Sequence, residues 1–428
     1  MQKKIQTTLK RLLQLHPKSV DLSLNRIKRL LKDLKNPEKK IKNVIQVVGT
    51  NGKHSICSTL REIFEAANYS VNMNISPSIR KFNERYYLSG KYISDDELYD
   101  LLIEVEKVNQ NRNITFHEFI CACFFLAAER NKSDINILEA GLFFRLDASN
   151  VLEKNIASVI TPIGMDHKDF LKKGTIDEIV YEKCSHLVNG TKIFISEQKK
   201  DILDKIKKNI YKNSSKKFIF GEDYKYKKIY NGFIYKDKKM SINLPFPNLL
   251  GDFQISNVST AINVSQNLDG FKIKEMHIKN AITKIRSEGR LQFIKNGKLR
   301  KYVSNNNEIL IDGGHNPLAA HKIEKYLESL KSEKKIIMLL GMMLNKEHKK
   351  FIEIFKDSVE SIITLDIPGQ TNFIKKEKLK KIAQSCGIPS KTENSIESAL
   401  KKASNENDSA IIFCTGSLYF AGEILNLN

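Results

Sequence analysis

The chain reads as an α/β protein with two successive domains built on parallel sheets. Three observations carry that reading. Short β-branched runs alternate with segments of helical period, the signature of strand–helix–strand units. A glycine-rich turn lies between the first of these strands and its helix. A polar stretch, Lys295 to Asn307, then separates one α/β series from another. With 428 residues the chain exceeds one ordinary core, and 41% hydrophobic residues suffice for two. The predicted domains are 1–295 and 296–428.

In the first domain, strands are expected at Val44–Val48, Ile135–Leu138, Ala157–Ile163 and Lys192–Ile195. After the first strand, Ile56, Leu60, Ile63, Phe64 and Ala67 share one helical face. Residues 217–246 alternate polar and apolar, with Asn231-Gly232 as a hairpin turn, and predict a small antiparallel excursion. In the second domain strands are expected at Ile309–Ile311, Ile336–Leu340, Ile362–Leu365 and Ala410–Phe413. The first helix there carries Leu318, Ile323, Tyr326, Leu327 and Leu330. At the N-terminus, Met1–Lys18 is basic and lacks acidic residues, as transit peptides do. It has no apolar signal core, and Ile5, Leu9, Leu12 and Leu13 predict an amphipathic helix instead.

The net charge is +22. Its lysines are spread along the whole chain, with no aromatic-interleaved basic block. The excess therefore reads as solvated surface that attracts anionic substrates, with neither nucleic acid nor membrane as partner. The longest apolar run, Phe116–Ala128, is too short for a bilayer. Six cysteines without a CxxC pair read as reduced thiols of a cytoplasmic protein.

The sharpest motif is Gly49-Thr50-Asn51-Gly52-Lys53-His54-Ser55. It follows an apolar strand and opens a helix, where backbone N–H groups and the helix N-terminus suit phosphate. Gly49 and Gly52 permit close backbone approach, and Lys53 adds a point charge. One residue separates Lys53 from Ser55, where the standard P-loop has none.

That variant resembles the P-loop of Mur ligases and folylpolyglutamate synthases, and the resemblance spans nearly the whole chain. Ile75-Ser76-Pro77, Phe82-Asn83-Glu84-Arg85, Leu138-Glu139-Ala140-Gly141, Arg145-Leu146-Asp147-Ala148-Ser149-Asn150 and Ile163-Gly164-Met165-Asp166-His167 fall in the family's order. Glu182-Lys183, Gln254 with Asn257, Gly289-Arg290, Asp312-Gly313-Gly314-His315-Asn316-Pro317 and Thr415-Gly416-Ser417 follow.

The resemblance implies a P-loop, Mur-ligase-like ATPase domain followed by a smaller Rossmann-like domain. It implies ATP and two Mg2+ as cofactors, and an amide-forming ligase passing through an acyl phosphate. Ser76, Glu139, His167 and a carbamylated Lys183 would ligate metal. Lys53, Lys183 and His315 would be catalytic. Gly49 to Ser55, with Asn257, Arg290 and Asp312, would hold nucleotide; Asp312 and His315 would reach it if the two domains close. For Glu139 a satisfied strand-end carboxylate is the competing reading, and for His315 a turn cap.

The N-terminal string Leu15 to Arg26 is similar to the opening of bifunctional dihydrofolate synthase/folylpolyglutamate synthases. Ser19, Val20 and Asp21 would bind dihydropteroate, together with Thr115, Phe116 and Arg145. Asp21 either accepts hydrogen bonds from pterin donors or caps the next helix. Phe116 is equally readable as core. Expected substrates are dihydropteroate, folates and L-glutamate, bound by a monomer. A polyglutamate synthase alone, or a degenerate nucleotide-binding homologue, are the alternatives. The sequence departs from the family pattern at His54, Cys184-Ser185-His186, Phe253, Glu288 and Asn345. Phe143-Phe144 also depart, where bulk beside Glu139 is expected to narrow the substrate groove.

Overall fold

The computed structural model describes residues 1–18 and 20–428. Among them the strands form three sheets. The largest contains β1 (Val44–Val48), β2 (Val71–Asn74), β3 (Tyr86–Leu88), β4 (Lys91–Tyr92), β5 (Ile135–Glu139), β6 (Ala157–Ile160), β7 (Lys192–Ile195) and β8 (Lys216–Ile219), in the order β4-β3-β2-β5-β1-β6-β7-β8. From β2 to β8 along that order the pairing is parallel, whereas β3 and β4 add an antiparallel edge. β1, β2, β5 and β6 therefore end at one edge of the sheet, where open α/β sheets bind ligands.

The strands sit where the β-branched runs predict them, with one informative difference. The run Ala157–Ile163 is paired only to Ile160. Pro162 has no N–H to donate, and its carbonyl instead accepts from Thr50 and Asn51 at 3.0 and 3.2 Å. The helix after β1 spans Lys53–Ala66 and buries Ile56, Leu60, Ile63 and Phe64 completely. Ala67 lies just past its end, as the C-cap.

The antiparallel excursion is a three-stranded sheet of β9 (Tyr224–Ile229), β10 (Gly232–Asp237) and β11 (Ser241–Pro245). Lys217 and its neighbours belong to β8 instead. Gly232 already pairs with Ile229, so Tyr230-Asn231 form the turn, one residue earlier than expected. The first helix, Gln2–Leu12, buries Ile5 and Leu12, but Leu13 lies beyond it and is 54% exposed. Phe116–Arg130 is a buried helix of this first unit. Among the described residues no helix is long and apolar enough to cross a membrane.

The third sheet comprises β12 (Gln292–Phe293), β13 (Glu308–Ile311), β14 (Lys335–Leu340), β15 (Ser361–Thr364), β16 (Ser390–Thr392) and β17 (Ala410–Thr415), in the order β12-β13-β17-β14-β15-β16. All of its pairs are parallel except β12 with β13. The helix Pro317–Lys331 covers it with Ala320, Ile323 and Leu327, starting from a proline and an Asn316 cap.

Two compact units result. The first comprises Met1–Ile163, Thr175–Asn248 and Ile255–Ile285; the second comprises Gly164–Gly174, Leu249–Gln254 and Arg286–Asn428. All six cysteines are free and buried.

Candidate active site

In the first unit the loop between β1 and the helix Lys53–Ala66 is bound tightly to the strand-end segment Thr161-Pro162. Gly49 has φ +155°, and a Cβ there would stand 1.9 Å from Thr161 Oγ1. Thr161 Oγ1 donates to Asn51 O at 2.7 Å. Gly52 has φ +84° and lies against Asn257, whose Oδ1 would be 2.7 Å from an added Cβ. Both glycines are thus required by conformation and by contact. Lys53 folds back over the loop, its Nζ donating to Gly49 O and Thr50 O at 3.2 Å each. His54 and Ser55 continue into the helix, with Ser55 buried.

Glu139 closes β5 at the same sheet edge and is only 5% exposed. Its Oε2 accepts from Ser76 N at 3.3 Å. Ser76 Oγ accepts from Arg85 Nη1 at 3.2 Å. Arg85 ends the Phe-Asn-Glu-Arg segment, so its position was legible, but only the fold shows what it holds. Lys183, on the helix Ile176–Cys184, is 2% exposed and donates to Gly49 O at 2.8 Å and Leu142 O at 2.9 Å. Its amine therefore touches both the phosphate loop and the loop after Glu139.

That second loop is organised by Asp147, a residue of the Arg-Leu-Asp motif to which the sequence assigned no role. Its carboxylate accepts from Gly141 N, Leu142 N, Ser149 N and Ser149 Oγ. His117 Nε2 lies 3.4 Å away. Burial alone would raise the Asp147 pKa, but His117 and the Ser149 bonds outweigh it and hold it at about 2. Phe143 and Phe144 are 1% and 0% exposed. They fill core rather than a groove, which corrects the expectation that they narrow one. Arg145 is engaged by Glu182, with Nε 3.0 Å from both carboxylate oxygens and Nη2 2.9 Å from Oε1.

Arg26 joins the two segments that were expected to contact pterin. Its Nη1 donates to Asp21 Oδ2 at 3.0 Å and its Nε to Glu118 Oε2 at 2.9 Å. Glu118 Oε2 also accepts from Thr115 N and Oγ1, both at 2.8 Å. His16 Nε2 lies 3.2 Å from Asp21. The following helix starts at Asn25 with Leu24 as its N-cap and no capping side chain, so Asp21 does not cap it. Val20 is half-buried, and Ser19 lies outside the described residues. Phe116 packs its partly buried ring edge-on to Phe82, 6.0 Å between centroids.

In the second unit Asp166 is a hub. It accepts from Lys346 Nζ at 2.7 Å and Asn316 Nδ2 at 3.1 Å, and lies 3.5 Å from His315 Nε2. Despite burial, the facing His315, His167 and Lys346 keep its carboxyl well below the usual carboxylate range. His315 Nδ1 meets Gly313 O at 3.0 Å, so the ring also braces its own turn, while Asn316 caps the helix. Asp312 accepts from Leu291 N at 2.9 Å and Gly314 N at 2.6 Å, and burial raises its pKa despite Arg290. Arg290 Nη1 donates to Gly289 O at 3.2 Å.

A family profile described as Mur ligase middle domain matches residues 47–265, and one described as Dihydrofolate synthetase, C-terminal domain matches residues 295–427. The dihydrofolate synthase/folylpolyglutamate synthase of Buchnera aphidicola subsp. Acyrthosiphon pisum is 30% identical over 396 residues, spanning 90% of this chain and 89% of that protein. The chain belongs to this family of Mur ligases. The Haemophilus influenzae counterpart is 29% identical and spans 95% of this chain and 94% of its own. Among solved structures, E. coli FolC in complex with DHPP and ADP superposes with a TM-score of 0.87 at 23% identity, covering 99% of this chain and 97% of that one. The bifunctional synthase of Yersinia pestis complexed with AMPPNP and Mn ion gives 0.86 at 22% identity, covering 98% and 97%. These likenesses establish a two-domain α/β Mur-ligase fold.

Magnesium takes hard oxygen ligands and keeps several waters, using one or two carboxylates plus substrate phosphates. Glu139 and Ser76, adjacent at the phosphate-loop edge of the sheet, fit that donor chemistry. Among the described residues no cluster of three His, Cys, Asp or Glu side chains is placed to hold a metal ion.

Proposed function

We propose that the chain is an ATP-dependent ligase that joins L-glutamate to dihydropteroate and to tetrahydrofolate glutamates. The observation that carries it is the Lys53 phosphate loop, with Glu139, Ser76 and Lys183 gathered around the same strand ends of one sheet. A substrate carboxylate oxygen attacks the γ-phosphorus of ATP, ADP leaves, and an acyl phosphate forms. The free amine of glutamate then adds to the carbonyl carbon. Collapse of the tetrahedral adduct expels phosphate, and the amine's proton is lost as the amide forms.

Gly49 to Ser55 and Asn257 hold nucleotide, and Lys53 stabilises charge on the transferring phosphoryl group. Arg290 and Asp312 are further nucleotide contacts, and His315 assists catalysis. Ser76, Glu139, His167 and a carbamylated Lys183 would hold two magnesium ions, which would supply neutralisation of the phosphate and carboxylate charges. Carbamylation would convert the Lys183 amine into an anionic oxygen ligand and should appear as added mass in protein kept in bicarbonate. Ser19, Val20, Asp21, Thr115, Phe116 and Arg145 contact the pterin acceptor. The protein acts as a monomer in the cytoplasm, and its six buried free thiols suit a reducing compartment.

Phosphate release tests the function. It should require ATP, magnesium, glutamate and either acceptor together. Release that ignores both acceptors would overturn the ligase reading. Release with tetrahydrofolate alone would reduce it to a polyglutamate synthase.

A further inference from the structure

We propose that Lys346 and Glu347 form a two-point positioning clamp for His167. Two consecutive ion pairs flank that histidine. Lys346 Nζ holds Asp166 Oδ1 at 2.7 Å on one side, and Glu347 Oε1 holds Lys168 Nζ at 2.7 Å on the other. The charges run negative then positive at 166 and 168, and positive then negative at 346 and 347, so exchanging the pairings would set like charges together.

The backbone of the segment is where such a device would act. His167 sits at φ +55° and opens the short turn Lys168–Phe170. A non-glycine residue pays roughly 1 kcal/mol or more for that conformation and keeps it only where its surroundings impose it. From Met165 to Gly174 no residue is fully buried, and the apolar Met165, Phe170 and Leu171 are only partly so. The Asp166 and Lys346 side chains, by contrast, are only 7% and 9% exposed. Asp166 is tied further to Asn316, which caps the helix Pro317–Lys331, and accepts from His167 N at 2.9 Å. The turn bearing the clamp is itself braced, by His348 Nε2 against Met343 O at 2.9 Å and by Leu344 N donating to Asn372 O at 3.1 Å.

The proposal rests on His167 as a metal ligand, and the test separates the two ideas. Mn2+ binding would be followed by electron paramagnetic resonance at fixed ADP, with thermal midpoints measured in parallel. Glu347→Lys should weaken Mn2+ affinity roughly tenfold, the usual scale for residues that orient a ligand. The swap Lys168→Glu/Glu347→Lys should recover most of that loss. Lys346→Met should weaken it at least as much. A part-exposed ion pair adds little stability, so the Glu347→Lys midpoint should barely move. Wild-type Mn2+ affinity in Glu347→Lys and Lys346→Met, alongside weakened binding in His167→Ala, would overturn the clamp alone. So would a swap no better than the single variant. Unchanged binding in His167→Ala would overturn the ligand reading on which the clamp stands.

Discussion

Lys53 and Asp147 show what single residues contribute at the phosphate-loop edge. Lys53 is held by two carbonyls of its own loop, so its charge is poised without costing the fold much to lose. Lys53→Ala should reduce ATP turnover at least about 100-fold, with stability changed by no more than about 1–2 kcal/mol. Steady-state kinetics and urea denaturation would measure the two. Asp147 has the opposite balance. Its folded-state pKa of about 2 lies below the ordinary 3.8. The stabilisation is therefore complete above about pH 4 and disappears as pH falls from about 4 to about 2, worth about 2 kcal/mol. Asp147→Asn should be destabilised by about that amount at pH 7, and the gap to the parent should close by pH 2. A gap that persists at pH 2 would assign the loss to packing.

At the scale of elements, Arg26 ties the N-terminal segment to the helix Phe116–Arg130 through Asp21 and Glu118. The strings that resemble pterin-binding segments are thus one connected structure in this unit. Asp21→Ala would remove the carboxylate contact of that link, leaving the Arg26 bond to the Asp21 backbone carbonyl and the Leu24 N-cap in place. Glutamate addition to dihydropteroate should fall more than addition to tetrahydrofolate, by roughly tenfold, the scale of one lost charge-assisted bond. Equal losses with both acceptors would make the link a folding element only. The strand ending at Ile160 teaches a related point. Apolar character continues to Ile163, but Pro162 diverts the backbone to serve the phosphate loop.

For the whole molecule, nucleotide should act on stability by mass action, because the loop that would bind it exists only when the sheet is folded. ATP with magnesium at 100 times its dissociation constant should add about 2.7 kcal/mol. A differential scanning experiment should show a raised midpoint with ATP and magnesium, and a smaller rise with ATP alone. No rise under either condition would argue against nucleotide binding.

Much of this was legible in the residues. The alternation of β-branched runs with helical periods established parallel α/β architecture, because strand and helix bury different periodicities. The glycine-rich turn marked the sharp loop between the first strand and its helix, because side chains rarely adopt the φ values at 49 and 52. Motif order then carried the family. Partnerships remote in sequence were not legible. Nothing local says that Arg85 holds Ser76, that Arg26 bridges Asp21 to Glu118, or that Lys346 and Glu347 bracket His167. Nor does a bulky pair such as Phe143-Phe144 declare whether it faces a groove or the core. Arg26 and Glu118 are 92 positions apart and Lys346 and Asp166 are 180 apart, while even Arg85 and Ser76, nine apart, meet only because the chain turns back between them. A hydrogen bond or ion pair is set by which backbone segments the sheets bring together, and that was decided only when the strands took their order.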